Sequence, residues 1–271
     1  GEECELKDAA EHGAVVKCQN QELQSDEIAK HLESGKQVTK LALVLDDYSD
    51  THPNSRDMVD WAYHGAGHCA YIMPNFLRTD GGGHESPNYS RIKTDFIRVA
   101  RLMELVRERH PEQFDLQRYP DIFGEDKARA MFDWFIDCKM LGYYTPGVGD
   151  NGGIRPPRRV LPQNYSFIGE STAYAFEKWG DPRYARASTR ADGSFFPGEL
   201  FWEYPQEELE AALELPESQI VPRSRLLDGY GVAILESGAG DDQRAVCLNY
   251  AATVGHRQQD TLNLEVFARG V

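Results

Sequence analysis

The sequence predicts an α+β multidomain fold in which a long helical part is followed by antiparallel strands. The helical part is indicated by apolar residues that recur at steps of three and four, most clearly from Ile92 to Val106. The strands are indicated by a period of two in residues 229–236, 245–250 and 262–266. We therefore expect a helical domain over residues 1–220 and the start of an antiparallel β-domain over residues 221–271.

The composition is that of a folded and strongly acidic protein. The chain has 271 residues, 41% of them hydrophobic, which is enough to build a packed core. Its formal charge is −15, from 44 acidic and 29 basic residues, and this argues against general nucleic-acid binding, which needs basic residues for the phosphates. No apolar run reaches the length of a transmembrane helix. The five cysteines are scattered without a CxxC pair, so neither a zinc knuckle nor a disulfide framework is indicated.

Further elements are expected from apolar periodicity and from glycine or proline at their ends. The predicted helices cover about residues 23–34, 41–45, 56–77, 125–141, 170–179, 182–188 and 205–213. The helix at 41–45 is expected to be buried because it is a continuous apolar run. Three strands are too few for a stable sheet on their own. We therefore expect a truncated β-domain, whose sheet is completed by further residues or packs on the helices.

The chemistry is expected around the stretch Asp80-Gly-Gly-Gly-His-Glu-Ser-Pro-Asn-Tyr89. Three successive glycines let the backbone bend sharply and approach a ligand closely. His84, Glu85 and Tyr89 then supply groups that form hydrogen bonds or move protons. The same stretch also fits a simple turn between helices, with Ser86 as the N-cap.

A second polar stretch links two predicted strands. It places His256 after a glycine and four residues before Asp260, where an imidazole can act as an acid, a base or a cation. Alone, it fits a surface histidine in a hairpin equally well.

Between the two stretches, residues 147–153 are rich in glycine and could bind an anion with backbone N–H groups, or form a structural turn. Three arginines close to them are candidate partners for a carboxylate: Arg155, Arg158 and Arg159.

Together, these stretches resemble the heparinase II/III-like polysaccharide lyases, a group that includes alginate lyases. The resemblance rests on Asp80-Gly-Gly with the ending Glu-Ser-x-x-Tyr89, on Gly-Val-Gly-Asp150, and on Gly255-His256 followed by Asp260-Thr-Leu-Asn-Leu264. It implies an incomplete (α/α) toroid followed by the first strands of an antiparallel β-sandwich. It also implies cleavage of an acidic polysaccharide by β-elimination at a uronic acid residue.

The resemblance further implies roles for particular residues. Tyr89 is expected to protonate the leaving oxygen and to be a candidate for removing the C5 proton, with His256 as base or charge stabiliser. Asn20 is the candidate for neutralising the substrate carboxylate. The expected substrate-binding residues are His84, Glu85, Arg155, Arg158 and Arg159. To serve one sugar ring, the polar atoms of Tyr89 and His256 should lie within roughly 10 Å of each other.

No metal or other cofactor is predicted. The structural zinc usual in the family is in doubt, because Gln258 stands where the family has a second histidine, and glutamine is a poor zinc ligand. His64 and His68 have metal-ligand spacing on a helix but lack an evident third ligand, so we interpret them as packing or surface residues. The resemblance implies a secreted or periplasmic protein whose partner is an acidic polysaccharide, with no nucleic-acid or membrane partner. The sequence indicates no oligomeric state.

Two other functions fit parts of the sequence. Helical toroids also carry glycoside hydrolases that use two carboxylates, for which Asp80 and Glu85 are the candidates. A non-catalytic carbohydrate-binding or scaffold relative would keep the fold without the chemistry, and the change at Gln258 makes this reading credible. The product formed from a uronate polymer separates the three functions, because only a lyase leaves an unsaturated sugar end.

Overall fold

A computed structural model describes residues 5–9, 13–18, 21–24, 37–64, 77–87, 93–124, 126–142, 144–148, 169–189, 193–195, 202–251 and 262–268. The contacts within the chain divide it into two compact units. Unit 1 comprises residues 1–77 and 92–128, and unit 2 comprises residues 78–91 and 129–271. This division falls elsewhere than residue 220, and the domains expected at 1–220 and 221–271 stay a prediction.

Unit 1 begins with a three-stranded antiparallel sheet. Its strands, β1 (Glu5–Ala9), β2 (Gly13–Cys18) and β3 (Gln21–Gln24), are neighbours in space in the order of the sequence. The expectation of helices from the start of the chain is therefore wrong for these strands. The predicted helix start near Leu23 is also wrong, because Leu23 pairs with Val16 in the sheet. The β-branched pair Val15–Val16 and the short connections favour strands that a search for helical periodicity does not detect.

Three helices follow in unit 1. α1 covers residues 37–45, α2 covers Ser55–Tyr63 and α3 covers Lys93–Arg109, with a 3-10 turn at Ile122–Gly124. The helix predicted at 41–45 is confirmed as part of α1. Its burial is confirmed only in part, because a helix turns one face to the core. Ala42 and Leu43 are buried, whereas Leu41, Val44 and Leu45 are exposed.

A reciprocal cap fixes the start of α2. The side chain of Asn54 accepts a hydrogen bond from the backbone N–H of Asp57, and the Asp57 carboxylate accepts one from the N–H of Asn54. Ser55 Oγ donates to the carbonyl of Ala42 and so joins α1 to α2. Residues 65–76, where the predicted helix continues, lie outside the described residues.

Aromatic rings form the core of unit 1. Tyr63, Phe114 and Tyr119 are buried and meet edge to face. His64 packs against the rings of Tyr63 and Tyr119. Burial lowers the pKa of His64, so its imidazole is held in the neutral form. This environment agrees with a packing role for His64, while His68 lies outside the described residues.

The helices of unit 2 follow, and the first of them begins within unit 1. α4 covers Asp126–Asp137, α5 covers Gly169–Trp179, α6 covers Pro182–Ala187 and α7 covers Gln206–Leu213, which confirms the four helices predicted in these regions. Phe132 of α4 packs against Trp179 of α5 and Tyr184 of α6. These aromatic contacts hold the three helices together. Within the described ranges of the chain, every helix is too short or too polar to span a lipid bilayer.

A four-stranded antiparallel sheet completes unit 2. Its strands lie in sequence order: β4 (Arg225–Leu227), β5 (Val232–Ser237), β6 (Arg244–Asn249) and β7 (Asn263–Ala268). The three predicted strands are confirmed as β5, β6 and β7, and β4 is a further short strand. Helices followed by an antiparallel sheet make the fold α+β, as the sequence predicts.

The two faces of this sheet differ in burial. The inner face is closed, with Leu227, Val232, Ile234, Ala245 and Phe267 all buried. The outer face is open but equally apolar, and four of its side chains are 60–62% exposed: Leu226, Leu235, Leu264 and Val266. A sheet face of this composition normally packs against another apolar layer.

Candidate functional site

The segment that begins at Arg78 folds back on itself and is held by one carboxylate. The N–H of Arg78 donates to the carbonyl of Gly82 at 2.7 Å. Asp80 Oδ1 accepts from the N–H of Gly82 at 3.0 Å, and its Oδ2 accepts from the N–H of Tyr230 at 2.8 Å. The second bond joins residues 150 positions apart. Asp80 therefore ties the glycine segment to the residue that leads into β5.

Close packing explains the glycines of this segment. Gly81 has a φ of +83°, and a Cβ there would overlap the backbone of Ala130 and Met131 in α4. A Cβ on Gly82 would lie 2.7 Å from the Cβ of Tyr230. Sequence reasoning assigned these glycines to the approach of a ligand. The structure shows that Gly81 and Gly82 let α4 and Tyr230 come close.

Tyr230 is held at both ends of its side chain. Its ring meets that of Trp134 edge to face with 4.8 Å between centroids, and its hydroxyl donates to the carbonyl of Glu85 at 2.9 Å. Burial raises the pKa of Tyr230 well above its usual value, so the hydroxyl stays protonated and remains a donor. The sequence pattern places Tyr230 only within the predicted strand at residues 229–236. The available signal was the pair of flanking glycines, Gly229 and Gly231.

The polar side chains that follow the glycines are enclosed by protein. His84, Glu85 and Ser86 are all buried. The Nδ1 atom of His84 lies 3.4 Å from a guanidinium nitrogen of Arg78. The contacts of His84 and Glu85 with substrate stay a prediction, and the structure shows the backbone of Glu85 in a packing contact. Tyr89 lies just beyond the last described residue of this segment, Pro87.

The loop that carries His256 leaves the sheet beside the same tyrosine. The N–H of Tyr250 donates to the carbonyl of Gly231 at 2.8 Å. Ala251 packs so closely on Gly231 that a Cβ on the glycine would lie 2.6 Å from the Cα of Ala251. The dipeptide Tyr230–Gly231 therefore touches both the glycine segment and the start of the histidine loop.

The glycine–aspartate loop is fastened to the same sheet at its described end. The N–H of Gly147 donates to Glu265 Oε1 of β7 at 2.7 Å, and the ring of Tyr144 lies against that of Phe267. Burial raises the pKa of Glu265, and the hydrogen bond from Gly147 opposes this rise. All three segments that carry the resemblance are thus attached to the sheet β4–β7 or to Tyr230, which leads into it.

The remaining predicted site residues lie outside the described residues: Asn20, Tyr89, Arg155, Arg158, Arg159 and His256. The separation of roughly 10 Å expected between Tyr89 and His256 therefore stays a prediction. Gln258 also lies outside the described ranges, so the fit of a zinc ion is not tested there. In the part of the chain that is described, no three His, Cys, Asp or Glu side chains are grouped so as to hold a metal ion.

A buried lysine lies at the end of α4, next to these loops. Lys139 is buried and its Nζ donates to Thr145 Oγ1. Burial lowers the pKa of Lys139 from 10.5 to about 8, and Cys138 partly opposes the change. Below pH 8 the lysine is charged in both the folded and the unfolded chain, so the cost of burying the charge is fully present. Between pH 8 and 10.5 the folded chain loses the proton first, and stability rises with pH.

We expect Lys139→Met to stabilise the protein at pH 7, because methionine fills a similar volume without a charge. A lowering of the pKa from 10.5 to about 8 corresponds to roughly 3 kcal/mol of unfolding free energy. The gain should shrink as the pH approaches 10.5. Urea unfolding at pH 7 and pH 10 measures both effects, with the exposed Lys178→Met as control. An equal gain in unfolding free energy at both pH values would contradict the lowered pKa of Lys139.

Sequence comparison finds relatives of the start of the chain. The protein family described as "Putative exonuclease, RdgC" matches residues 1–50. The recombination-associated protein RdgC of Xanthomonas oryzae pv. oryzae is 81% identical over 47 residues, and that of Stenotrophomonas maltophilia is 72% identical over 47 residues. Both matches cover 17% of this chain and 16% of the relative. The chain therefore spans a small part of these relatives, and the residues that the family model matches include β1–β3 and α1.

Structure comparison gives a different likeness over most of the chain. A mutant of the heparan sulfate lyase HepC from Pedobacter heparinus superimposes with a TM-score of 0.53 and 14% identity, covering 91% of this chain and 33% of that one. The heparinase III product of BT4657 gives a TM-score of 0.52 with 13% identity, covering 89% and 30%. At this identity the likeness establishes the fold alone. Over most of its length the chain thus has a fold similar to part of the heparan sulfate lyases.

Proposed function

We propose that the protein is a polysaccharide lyase that cleaves a uronic-acid-containing acidic polysaccharide by β-elimination. The observation that carries the proposal is the dipeptide Tyr230–Gly231, which touches the segment leading to Tyr89 and the start of the loop with His256. The fold shared with chains named heparan sulfate lyases supports the same function. A secreted or periplasmic location, which the resemblance implies, belongs to this proposal.

The reaction requires three events at one sugar ring. The carboxylate beside C5 must be neutralised, the C5 proton must be removed and the leaving O4 must be protonated. In the proposal, Tyr89 delivers the proton to O4, and His256 acts as the base or stabilises the charge that develops. Asn20 neutralises the carboxylate. In the proposal, Arg155, Arg158 and Arg159 bind the substrate directly. The buried His84 and Glu85 contribute to binding by positioning the segment that leads to Tyr89.

The proposed architecture is an incomplete (α/α) toroid in the helical part of residues 1–220, after the sheet β1–β3, followed by the first strands of a β-sandwich over residues 221–271. The open apolar face of the sheet supports the sandwich, because a second sheet is the layer that would cover it. The exposed side chains Leu226, Leu235, Leu264 and Val266 would then be buried. An experimental structure of a longer chain checks this, and a solvated Leu235 there would count against it.

The structure disfavours the hydrolase alternative. A hydrolase needs two free carboxyl groups that flank the scissile bond. Asp80 engages both of its oxygens with backbone N–H groups, and Glu85 is only 3% exposed. Neither carboxyl group is placed to act on a sugar in this conformation. The non-catalytic alternative is tested by the experiment below.

The match to a recombination-associated protein does not alter the expected partner. Among the first 50 residues, twelve are Asp or Glu and five are Lys. A segment with this charge lacks the basic residues with which proteins neutralise nucleic-acid phosphates. The absence of a nucleic-acid partner therefore stays an expectation that rests on charge, and an acidic polysaccharide is the proposed partner.

The proposed role of Tyr89 predicts that removing its hydroxyl group lowers the rate of cleavage. We expect Tyr89→Phe to lower kcat by about 10²–10⁴-fold on a cleaved uronate polymer, because the general acid is removed. The measurement is ultraviolet absorbance of the unsaturated product on heparin-like, chondroitin-like and alginate polymers. Tyr48→Phe, which alters a tyrosine of unit 1 that packs on Phe114, serves as control and should keep the wild-type rate. Wild-type kcat in Tyr89→Phe would overturn the assignment, and an intact polymer with every substrate would favour the non-catalytic alternative.

A further inference from the structure

We infer that Tyr230 is a positioning residue for the proposed lyase reaction. Its hydroxyl holds the chain at Glu85, before Tyr89, and the adjoining Gly231 holds the chain at Tyr250, before His256. The inference rests on the proposed function. It assigns to Tyr230 an effect on turnover that does not follow from a core position alone. Tyr230 does not itself touch the reacting atoms in this assignment.

The first step of the argument is that Tyr230 is fixed by the core of unit 2 as well as by the segment it holds. Its ring lies against Trp134 of α4 in the core, and it is followed directly by the sheet. Its N–H is bound by Asp80 at 2.8 Å, and its Cβ leaves no room for a side chain on Gly82. The hydroxyl therefore projects from a rigid base and fixes the point to which the Glu85 carbonyl is bound.

The second step is the distance along the chain from this point to the proposed acid. Tyr89 follows Glu85 by four residues, so they can be at most about 14 Å apart. A shift of the Glu85 backbone is therefore transmitted to Tyr89 over a short stretch of chain. A misplacement of about 1 Å at a reacting group can lower a rate about 10²-fold.

The third step is that the same dipeptide holds the start of the other motif. Gly231 accepts a hydrogen bond from the N–H of Tyr250 at 2.8 Å and packs on Ala251, the last described residue before His256. Tyr230 and Gly231 thus fix two points, each a few residues from one of the two proposed catalytic groups. Burial keeps the Tyr230 hydroxyl protonated, so its hydrogen bond to the Glu85 carbonyl is retained as the pH changes.

The test is Tyr230→Phe, which keeps the ring and removes the donor. We expect kcat per folded molecule to fall about 10–100-fold while KM stays within about twofold, because binding groups remain and alignment is lost. Circular dichroism gives the folded fraction. The matched control is Tyr184→Phe, which removes the hydroxyl of another buried tyrosine, bonded to Asp133 at 3.0 Å, and should keep the wild-type kcat.

A second variant keeps the test decisive where Tyr230→Phe does not fold. Asp80→Asn weakens the hold on the N–H of Tyr230, and it should also lower kcat more than KM changes. Wild-type kcat in a folded Tyr230→Phe, or in Asp80→Asn where only that variant folds, would overturn the inference. A rise in KM with unchanged kcat would also overturn it. If the wild-type protein forms no unsaturated product, the proposed function itself has failed.

Discussion

Gly81→Ala is expected to destabilise the protein by roughly 2–5 kcal/mol, as the sum of two effects. An alanine at a φ of +83° is strained by about 1–2 kcal/mol. Its Cβ would also overlap the backbone of Ala130 and Met131 within α4, and such overpacking adds about 1–3 kcal/mol. The helix backbone cannot move aside without losing its own hydrogen bonds. Urea unfolding of both proteins measures the difference.

Gly193→Ala is the matched control for this prediction. Gly193 has the same φ of +83°, but a Cβ there meets nothing within 4 Å. It should therefore show the strain alone, about 1–2 kcal/mol. Equal losses of unfolding free energy in the two variants would mean that packing against α4 does not constrain the glycine segment. The close fit of Gly81 would then not contribute to stability.

The second large effect is expected from the ion pair between Arg225 of β4 and Glu236 of β5. Their side chains are 10% and 0% exposed, and the Nη1 atom of Arg225 donates to Glu236 Oε2 at 2.8 Å. The other nitrogens of Arg225 donate to the carbonyls of Asp137 and Lys139 at the end of α4. Replacing the arginine leaves a buried carboxylate without its counter-charge. We expect Arg225→Met to destabilise the protein by about 3–5 kcal/mol.

A neighbouring exposed pair provides the comparison. Arg223 is 63% exposed and lies 3.2 Å from Asp137. Solvent screens such a pair, so Arg223→Met should lower the unfolding free energy by less than about 1 kcal/mol. Denaturant unfolding of both variants under the same conditions measures the contrast. The N–H groups of Leu141 and Arg223 also donate to the Glu236 carboxylate. A loss from Arg225→Met no larger than that from Arg223→Met would show that these two donors alone satisfy it.

The elements with a strong period could be predicted from the sequence. Helices α3 to α7 and strands β5 to β7 follow from the spacing of apolar residues, because each element must bury one face. The sheet β1–β3 could not be predicted in this way, since its short strands contain few apolar residues. Its main signal is the pair Val15–Val16, which local propensity alone cannot separate from helix or loop.

The arrangement of the site depends on contacts that the sequence pattern does not contain. The stretch from Asp80 was recognised, but its anchor, Tyr230, lies 150 residues away and carries no motif. The sequence makes Asp80 a candidate hydrolytic acid because helical toroids also carry hydrolases that use two carboxylates. In the structure both of its oxygens accept backbone hydrogen bonds. The burial of His84 and Glu85 likewise depends on tertiary packing.

The most direct test of the proposed lyase is the mass of the products released from a uronate polymer by the full-length chain. Elimination adds no water, so each new non-reducing end should be lighter by one water molecule than a hydrolysis product and should absorb in the ultraviolet. The same products should be lost in Tyr89→Phe. Products that carry the added water would contradict elimination, and a polymer of unchanged mass across the whole panel would contradict catalysis altogether.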